Sequence, residues 1–487
     1  MAPKHMDRLT SVDTSFLAHE RAGSHMHIGS IMLFEGPSPA YEDVVGHIDS
    51  RLHLVPRYRQ KLRVPRLELG RPFWVDDPRF NITYHVRHTA LPPPGSLEQL
   101  RNLAGRIFSQ RLDRSKPLWE LWLVEGLEDG RFALINKVHH SLVDGVSGVD
   151  LTTVLFDLEP VPREVSPEPW IPQVEPSSAA IVARAVTDVA AIPLDLAGQA
   201  WRAAQNPGGT LRRLREVAEG VGEVAWSAVN RAPTSPLNVG IGTHRQVRWV
   251  NTELADLKAI KDELGGTVND VFLTIVSGAL GRWLRARGVP TAGLELRGAV
   301  PVSIRAEDER GQLGNRITIM LGPLPVYCED PVRRLQLVTA EMRGLKESKQ
   351  ALGAEAISSV EEFTPPTIFA QASRLHFSTR MYNLLVTNVP GPQFPLYLLG
   401  HEIEQLVPVA FLAPDNALAI AIMSYNGRVA IGLIGDFEAL ADIDELVLDV
   451  EESIAELLAA AGGRSEEASP SPSGAQPSGA NGAGTPA

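Results

Sequence analysis

His139 and His140 stand side by side in the segment His139-His140-Ser141-Leu142-Val143-Asp144-Gly145. Near neutral pH an imidazole can take the proton of a hydroxyl as it attacks a carbonyl, then pass that proton to the leaving group. A thiolate leaving group suits the second step. On an extended strand neighbouring side chains point to opposite faces, so only one of the two rings can reach a given cavity. Asp144 reads as a carboxylate that orients an imidazole or, as the safer assignment, holds an arginine and braces the loop. Gly145 reads as a position of positive φ or close backbone approach. On spacing alone, two histidines before a glycine turn are more often satisfied side chains at a strand end. A metal site fits less well, because adjacent strand residues diverge and His139, His140 and Asp144 do not match the usual zinc spacing.

Other candidates are weaker when taken alone. Asn269-Asp270 opens an apolar helical stretch, where a side chain can cap free backbone N–H groups. Thr387-Asn388-Val389-Pro390-Gly391-Pro392 reads as a strand stopped by a turn that it shapes. Arg57, Arg59, Lys61 and Arg63 alternate between Pro56 and Pro65. If that segment is extended, all four cations share one face and could bind the phosphates of a nucleotide-bearing ligand or an anionic bilayer, although a solvated face is commoner. The stripe Leu211 to Val224, flanked by Arg212, Arg213 and Arg215, could lie on a membrane, but such stripes more often pack on their own protein. Gly145-Val146-Ser147-Gly148 lacks the spacing of a hydrolase elbow, and Cys328 has no evident basic partner, so direct transfer is preferred to an acyl-enzyme.

The elements around these residues alternate. A strand is expected over 26–34, ended by Gly36-Pro37-Ser38-Pro39, and helices over 41–54 and 99–112. The runs 119–125 and 131–139 form a hairpin around Glu128-Asp129-Gly130, and helical spacing resumes over 149–158. The histidine pair therefore sits at a strand-to-helix junction. Residues 160–176, rich in proline and glutamate, read as a linker, followed by two helical stretches marked by Val182 to Leu196 and Leu211 to Val224. A second α/β region follows, with strands at 247–250, 295–302, 317–323, 383–388, 404–408, 418–425 and 428–436. Its helices are expected at 253–264, 269–287, 331–349 and 443–460. The expected division is a first α/β domain over 1–165, a Pro-rich and helical linker over 166–240, a second α/β domain over 241–461, and a disordered tail over 462–487.

Bulk composition bounds the function. The 487 residues exceed what one core usually organises, and 44% hydrophobic against 21% charged residues is the balance of a globular chain. A net charge of -12 offers no general attraction to a polyphosphate backbone, so nucleic acid is not an expected partner. One cysteine, Cys328, excludes an intrachain disulfide and a multi-cysteine zinc site, which fits a reducing compartment. The first residues lack the apolar stretch of an export signal, and no run of about 18 apolar residues occurs, so a cell-interior protein with peripheral membrane contact is expected.

Several of these segments, in this order, resemble the bacterial wax ester synthase/acyl-CoA:diacylglycerol acyltransferases, relatives of the chloramphenicol acetyltransferase and condensation-domain folds. The resemblance spans roughly residues 9–458. It is carried by Ser11-Val12-Asp13-Thr14-Ser15-Phe16-Leu17, Met26-His27-Ile28-Gly29, Pro117-Leu118-Trp119-Glu120, the histidine segment, Asn269-Asp270-Val271, Pro301-Val302-Ser303-Ile304-Arg305, Leu313-Gly314-Asn315 and the run from Thr387 to Pro392. It implies an α/β fold of two chloramphenicol-acetyltransferase-like domains joined by the linker, with the active site between them, reached by one tunnel for acyl-CoA and one for the alcohol. It further implies that His140 is the base, supported by His139 and Asp144, and that Asn269 donates a hydrogen bond to the oxyanion. Gly145, Asp270, Thr387, Asn388 and the four cations are then substrate-binding candidates. The implied reaction is acyl transfer from acyl-CoA to diacylglycerol or a long-chain alcohol, without metal or prosthetic group, at the inner face of the membrane or a lipid droplet. Acceptor preference, chain length and oligomeric state are left open. The alternatives are a lipid-surface binding protein with little turnover, or a condensation-like enzyme that takes its acyl group from a carrier protein.

Overall fold

A computed structural model of the chain describes residues 7–21, 23–65, 71–143, 155–166, 168–177, 180–181, 231–303, 317–347 and 381–468. Asp144, Gly145, the Leu313-Gly314-Asn315 motif and both helical stretches expected in the linker lie outside these residues.

The first half begins with the short strand β1 (Asp7–Arg8) and helix α1 (Ser11–His19). A reciprocal cap starts α1: Thr10 Oγ1 accepts the Asp13 N–H at 3.1 Å, and Asp13 Oδ2 accepts the Thr10 N–H at 3.3 Å. Then come β2 (His27–Phe34), α2 (Tyr41–Arg51), β3 (Gln60–Arg63), β4 (Phe73–Asp76), the single turn α3 (Ile82–His85), β5 (Val86–Ala90), α4 (Leu97–Ser109), β6 (Trp119–Glu125), β7 (Phe132–His139) and the turn α5 (His140–Val143). The second half contains β8 (Arg245–Glu253), α6 (Leu254–Leu264), α7 (Val268–Ala286), β9 (Leu296–Ser303), β10 (Ile317–Leu324), α8 (Pro331–Glu347), β11 (Leu384–Pro390), β12 (Tyr397–Leu398), β13 (His401–Val409), β14 (Leu418–Tyr425), β15 (Arg428–Asp436) and α9 (Ile443–Ala468).

The strands form two six-stranded sheets, ordered β12-β13-β2-β7-β6-β5 and β10-β9-β11-β14-β15-β8, with a small β1-β4-β3 sheet beside the first. The expected hairpin is the antiparallel pair β6/β7. One feature goes against simple division of the chain: β13, from the second half, pairs antiparallel with β2 in the first sheet. Gly432 of β15 makes room for that crossing strand, since a Cβ there would lie 2.0 Å from Pro408 O. The same closeness recurs where α4 meets β8, with Gly105 facing Arg245 O at 2.6 Å from an ideal Cβ. Between the sheets an apolar cluster joins Phe16, Ile31, Ile107 and Ile135 of the first half to Trp249, Val407, Phe411 and Ala419 of the second.

Three local expectations need correction. Residues 156–158, expected to end a helix, are not helical, and Asp157 forms an isolated bridge to Tyr397 instead. The last helix runs past Gly462-Gly463 to Ala468, into the segment read as a tail, because Ala, Arg and Glu on either side favour helix. The segment with the four cations is not one extended run: Pro56–Arg59 is a 3-10 turn and only Gln60–Arg63 is strand.

Candidate active site

The histidine pair sits where β7 ends and α5 begins. Its backbone is fixed on both sides: His139 N–H donates to Leu118 O and His140 N–H to Met26 O, each at 3.0 Å. The two rings have different neighbours. His139 is fully buried, and its Nδ1 accepts the Ser141 backbone N–H at 3.1 Å while lying 2.7 Å from Ser141 Oγ. A backbone N–H can only donate, so Nδ1 carries no proton and the neutral ring is protonated at Nε2, 3.7 Å from Glu20 Oε2. Burial, with Arg114 and His140 adding to it, pushes His139 down to about 3.

His140 lies deep in the molecule but keeps a partly accessible face. Its ring stacks on Phe16 of α1 with centroids 3.9 Å apart, and Phe411, just beyond β13, meets it edge-on at 5.7 Å. The base candidate is thus held between a helix of the first half and a segment of the second. Burial pushes its pKa down to about 4, against an opposing pull from the Asp13 carboxylate. At neutral pH the imidazole is therefore uncharged and able to accept a proton.

Asn269 occupies the first turn of α7 and is half-buried, as are Thr387 and Asn388 on β11. Asn388 Nδ2 reaches Asn269 Oδ1 at 3.5 Å, so two candidates 119 residues apart meet. An Asn269 whose Oδ1 faces a donor presents its own amide N–H groups elsewhere, the orientation an oxyanion donor needs. Asp270 turns inward: it is buried, its Oδ2 accepts the Thr267 N–H at 2.9 Å, and Thr267 Oγ1 accepts the Asp270 N–H at 3.2 Å. That is the capping role weighed from sequence.

The sequence of residues 9–272 matches the model of the wax ester synthase/diacylglycerol acyltransferase catalytic domain, and residues 313–458 match the WS/DGAT C-terminal domain. The chain belongs to the wax ester synthase/diacylglycerol acyltransferase family. It is 31% identical to a Mycobacterium tuberculosis protein named probable diacylglycerol O-acyltransferase tgs1, over 93% of this chain and 96% of that one. A second protein of that organism, named probable diacylglycerol O-acyltransferase tgs2, is 30% identical over 94% of this chain and all of its own length. Among solved structures, the wax ester synthase/diacylglycerol acyltransferase from Marinobacter aquaeolei VT8 superposes with a TM-score of 0.64 at 27% identity, covering 94% of this chain and 100% of that one. The first condensation domain of the calcium-dependent antibiotic synthetase shares the fold, with a TM-score of 0.56 at 17% identity over 94% and 97% of the two chains.

In this acyltransferase the four cations do not form one patch. Arg57 pairs with Asp7 at 3.0 Å and lies over the Trp74 ring, whereas Arg59 pairs with Asp49 at 3.1 Å and lies over Phe80 and Trp170. Lys61 approaches Asp77 and Glu175, and Arg63 approaches Glu175. The shared face expected from alternation is confined to Lys61 and Arg63, and all four charges have carboxylate partners. Among the described residues no group of three or more His, Cys, Asp or Glu side chains is placed to hold a metal ion.

The fold also brings in residues that sequence reading did not single out as functional: Asp13 and Phe16 from α1, Glu20 just after it, Ser141 beside the pair, and Phe411. Asp13 and Phe16 are spaced i, i+3 behind a capping threonine, a helical face that could have been read. Phe411 lies 271 residues from His140 and carried no local signal.

Proposed function

We propose that this acyltransferase moves a long-chain fatty acyl group from acyl-CoA to diacylglycerol, forming triacylglycerol, and to long-chain alcohols, forming wax esters. The observation that carries the mechanism is His140 fixed by its backbone and by two aromatic rings, its side chain only partly accessible and its pKa held down by burial. The acceptor hydroxyl gives its proton to His140 as its oxygen bonds to the thioester carbon. The carbonyl oxygen becomes an oxyanion facing the Asn269 amide. Collapse breaks the C–S bond, and the protonated His140 returns the proton to the departing thiolate. Neighbouring His139, locked in one tautomer by Ser141, keeps the end of β7 rigid.

The membrane reading has physical support. Among the described residues no single helix is long and apolar enough to cross a membrane. Leu158, Val161, Ile171 and Val174 expose large apolar side chains on one connecting segment. Peripheral attachment at the inner face of the cell membrane and on lipid droplets follows as part of the proposal.

Incubation with palmitoyl-CoA and diolein or hexadecanol tests the reaction, with free thiol and neutral lipid measured together. Thiol release matched by triacylglycerol or wax ester is expected. Acyl transfer from a carrier-bound pantetheine alone would select the condensation-like reaction, and lipid binding without thiol release would leave only a surface binder. Flotation with anionic vesicles tests the attachment, and a protein that stays at the bottom of the gradient defeats that part.

A further inference from the structure

A buried neutral imidazole with a pKa near 4 is a weak base, and the proton it must take leaves a charge in a site walled by Phe16 and Phe411. The face of Phe16 offers a cation only the modest attraction of a ring quadrupole. A carboxylate at fixed distance would stabilise it.

Helix α1 provides one. Asp13 is buried and lies one turn before Phe16, so the two share a face of the helix. Because Phe16 is the residue stacked on His140, that face is the one turned toward the imidazole. The reciprocal cap with Thr10 fixes the Asp13 side chain through Oδ2. Glu20, the extended residue that ends α1, is bound to Arg114 and lies 3.7 Å from His139 Nε2, so a second carboxylate serves the neighbouring histidine.

We propose that Asp13 is a positioning residue that stabilises the imidazolium form of His140 during acyl transfer. The proposal rests on His140 being the base. When the acceptor O–H bond breaks and its proton moves to His140, Asp13 stays ionised and balances the new positive charge. The same proton then leaves for the thiolate sulfur and the imidazole is neutral again. Asp13 neither gains a proton nor touches substrate. Around the histidines the other ionisable groups are Glu20 just after α1, His25 before β2 and His27 at its start, Lys137 on β7, and Arg111 and Arg114 after α4. The Asp13 carboxylate works against the effect of burial on His140, whereas Arg114 adds to it on His139.

The test compares Asp13→Asn, Asp13→Gln, Asp13→Glu, Thr10→Ala and His140→Ala by thiol release from palmitoyl-CoA with diolein between pH 3 and 9, alongside melting temperature. Asn and Gln retain an acceptor for the Thr10 N–H, and Gln is a natural partner in such a cap, so both should melt as the unaltered protein does. Both are expected to lower kcat roughly tenfold to a hundredfold with little change in KM for acyl-CoA. Loss of the negative charge favours neutral His140, so the acid midpoint of kcat/KM should move to lower pH. Asp13→Glu should recover most of the rate. A neutral variant with unchanged kcat and an unmoved midpoint, beside an inactive His140→Ala, overturns the role of Asp13 while leaving the base in place. An active His140→Ala removes the base itself. Equal losses in Thr10→Ala and Asp13→Asn, without a shift in midpoint, would reduce Asp13 to a helix cap. Should both neutral variants fail to fold, Asp13→Ser, neutral and itself able to cap, takes their place, and the His140 ring is titrated by NMR in it and in the unaltered protein, where identical midpoints overturn the proposal.

Discussion

At the scale of single residues, the site separates proton transfer from charge stabilisation. His140 is neutral and held on three sides, so His140→Ala should leave the fold intact and lower turnover by about two to four orders of magnitude. Thiol release at saturating acyl-CoA measures this, and near-normal turnover would take His140 out of the mechanism. Asn269 and Asn388 are coupled through one long hydrogen bond, but only Asn269 is assigned to the oxyanion. Asn269→Ala should therefore lower kcat by about 10²- to 10³-fold, as loss of a single oxyanion donor does elsewhere. Asn388→Ala should cost much less, since it orients its neighbour. Equal losses would assign the oxyanion to both side chains.

At the scale of elements, the site depends on a helix start and a strand crossing. Thr267 caps α7 at the turn that carries Asn269, so Thr267→Ala should lower stability by about 1 kcal/mol. Urea unfolding measures the change, and an unaltered midpoint would show that Asp270 alone suffices. The crossing strand β13 is the more demanding feature. It brings Phe411 to His140, and Ser24 Oγ donates to Leu412 O at 2.7 Å to close the junction. A side chain at position 432 would drive into Pro408 O, a backbone atom that cannot swing away. Gly432→Val should lower the melting temperature clearly, by an amount corresponding to about 1–3 kcal/mol, and lower turnover in the fraction that folds. A variant as stable and active as the unaltered protein would mean that the two sheets have slack there.

At the scale of the whole molecule, burying neutral histidines links stability to pH. His85 is pushed down to about 4 and His139 to about 3, chiefly by burial, and both are almost completely enclosed. Below the ordinary value of about 6.5 the unfolded chain binds protons that the folded chain refuses, so stability falls as pH is lowered through that value. The loss continues until the folded-state values are reached and amounts to about 1.4 kcal/mol per pH unit for each group. Urea unfolding at pH 7 and pH 5 should show a lower midpoint at pH 5. Equal stabilities would mean that these rings are protonated in the folded protein.

Much of the site was legible from sequence. Alternation and the Glu128-Asp129-Gly130 turn located β6 and β7, and with them the strand-to-helix junction that carries His139 and His140, because a strand's side-chain pattern is a local property. The start of α7 at Asn269-Asp270 was equally local, and the strands 418–425 and 428–436 were located to the residue. What neighbours those residues was not a local matter. Alternation suggested four cations on one face, yet a 3-10 turn and carboxylates from distant segments divide them. Strand β13 belongs by sequence to the second half and by pairing to the first sheet, a choice made by hydrogen bonds spanning more than 360 residues of separation. The chemistry of the histidine pair was set by residue type and spacing; its charge state, its aromatic enclosure and its carboxylate partner depend on burial, which only the assembled fold provides.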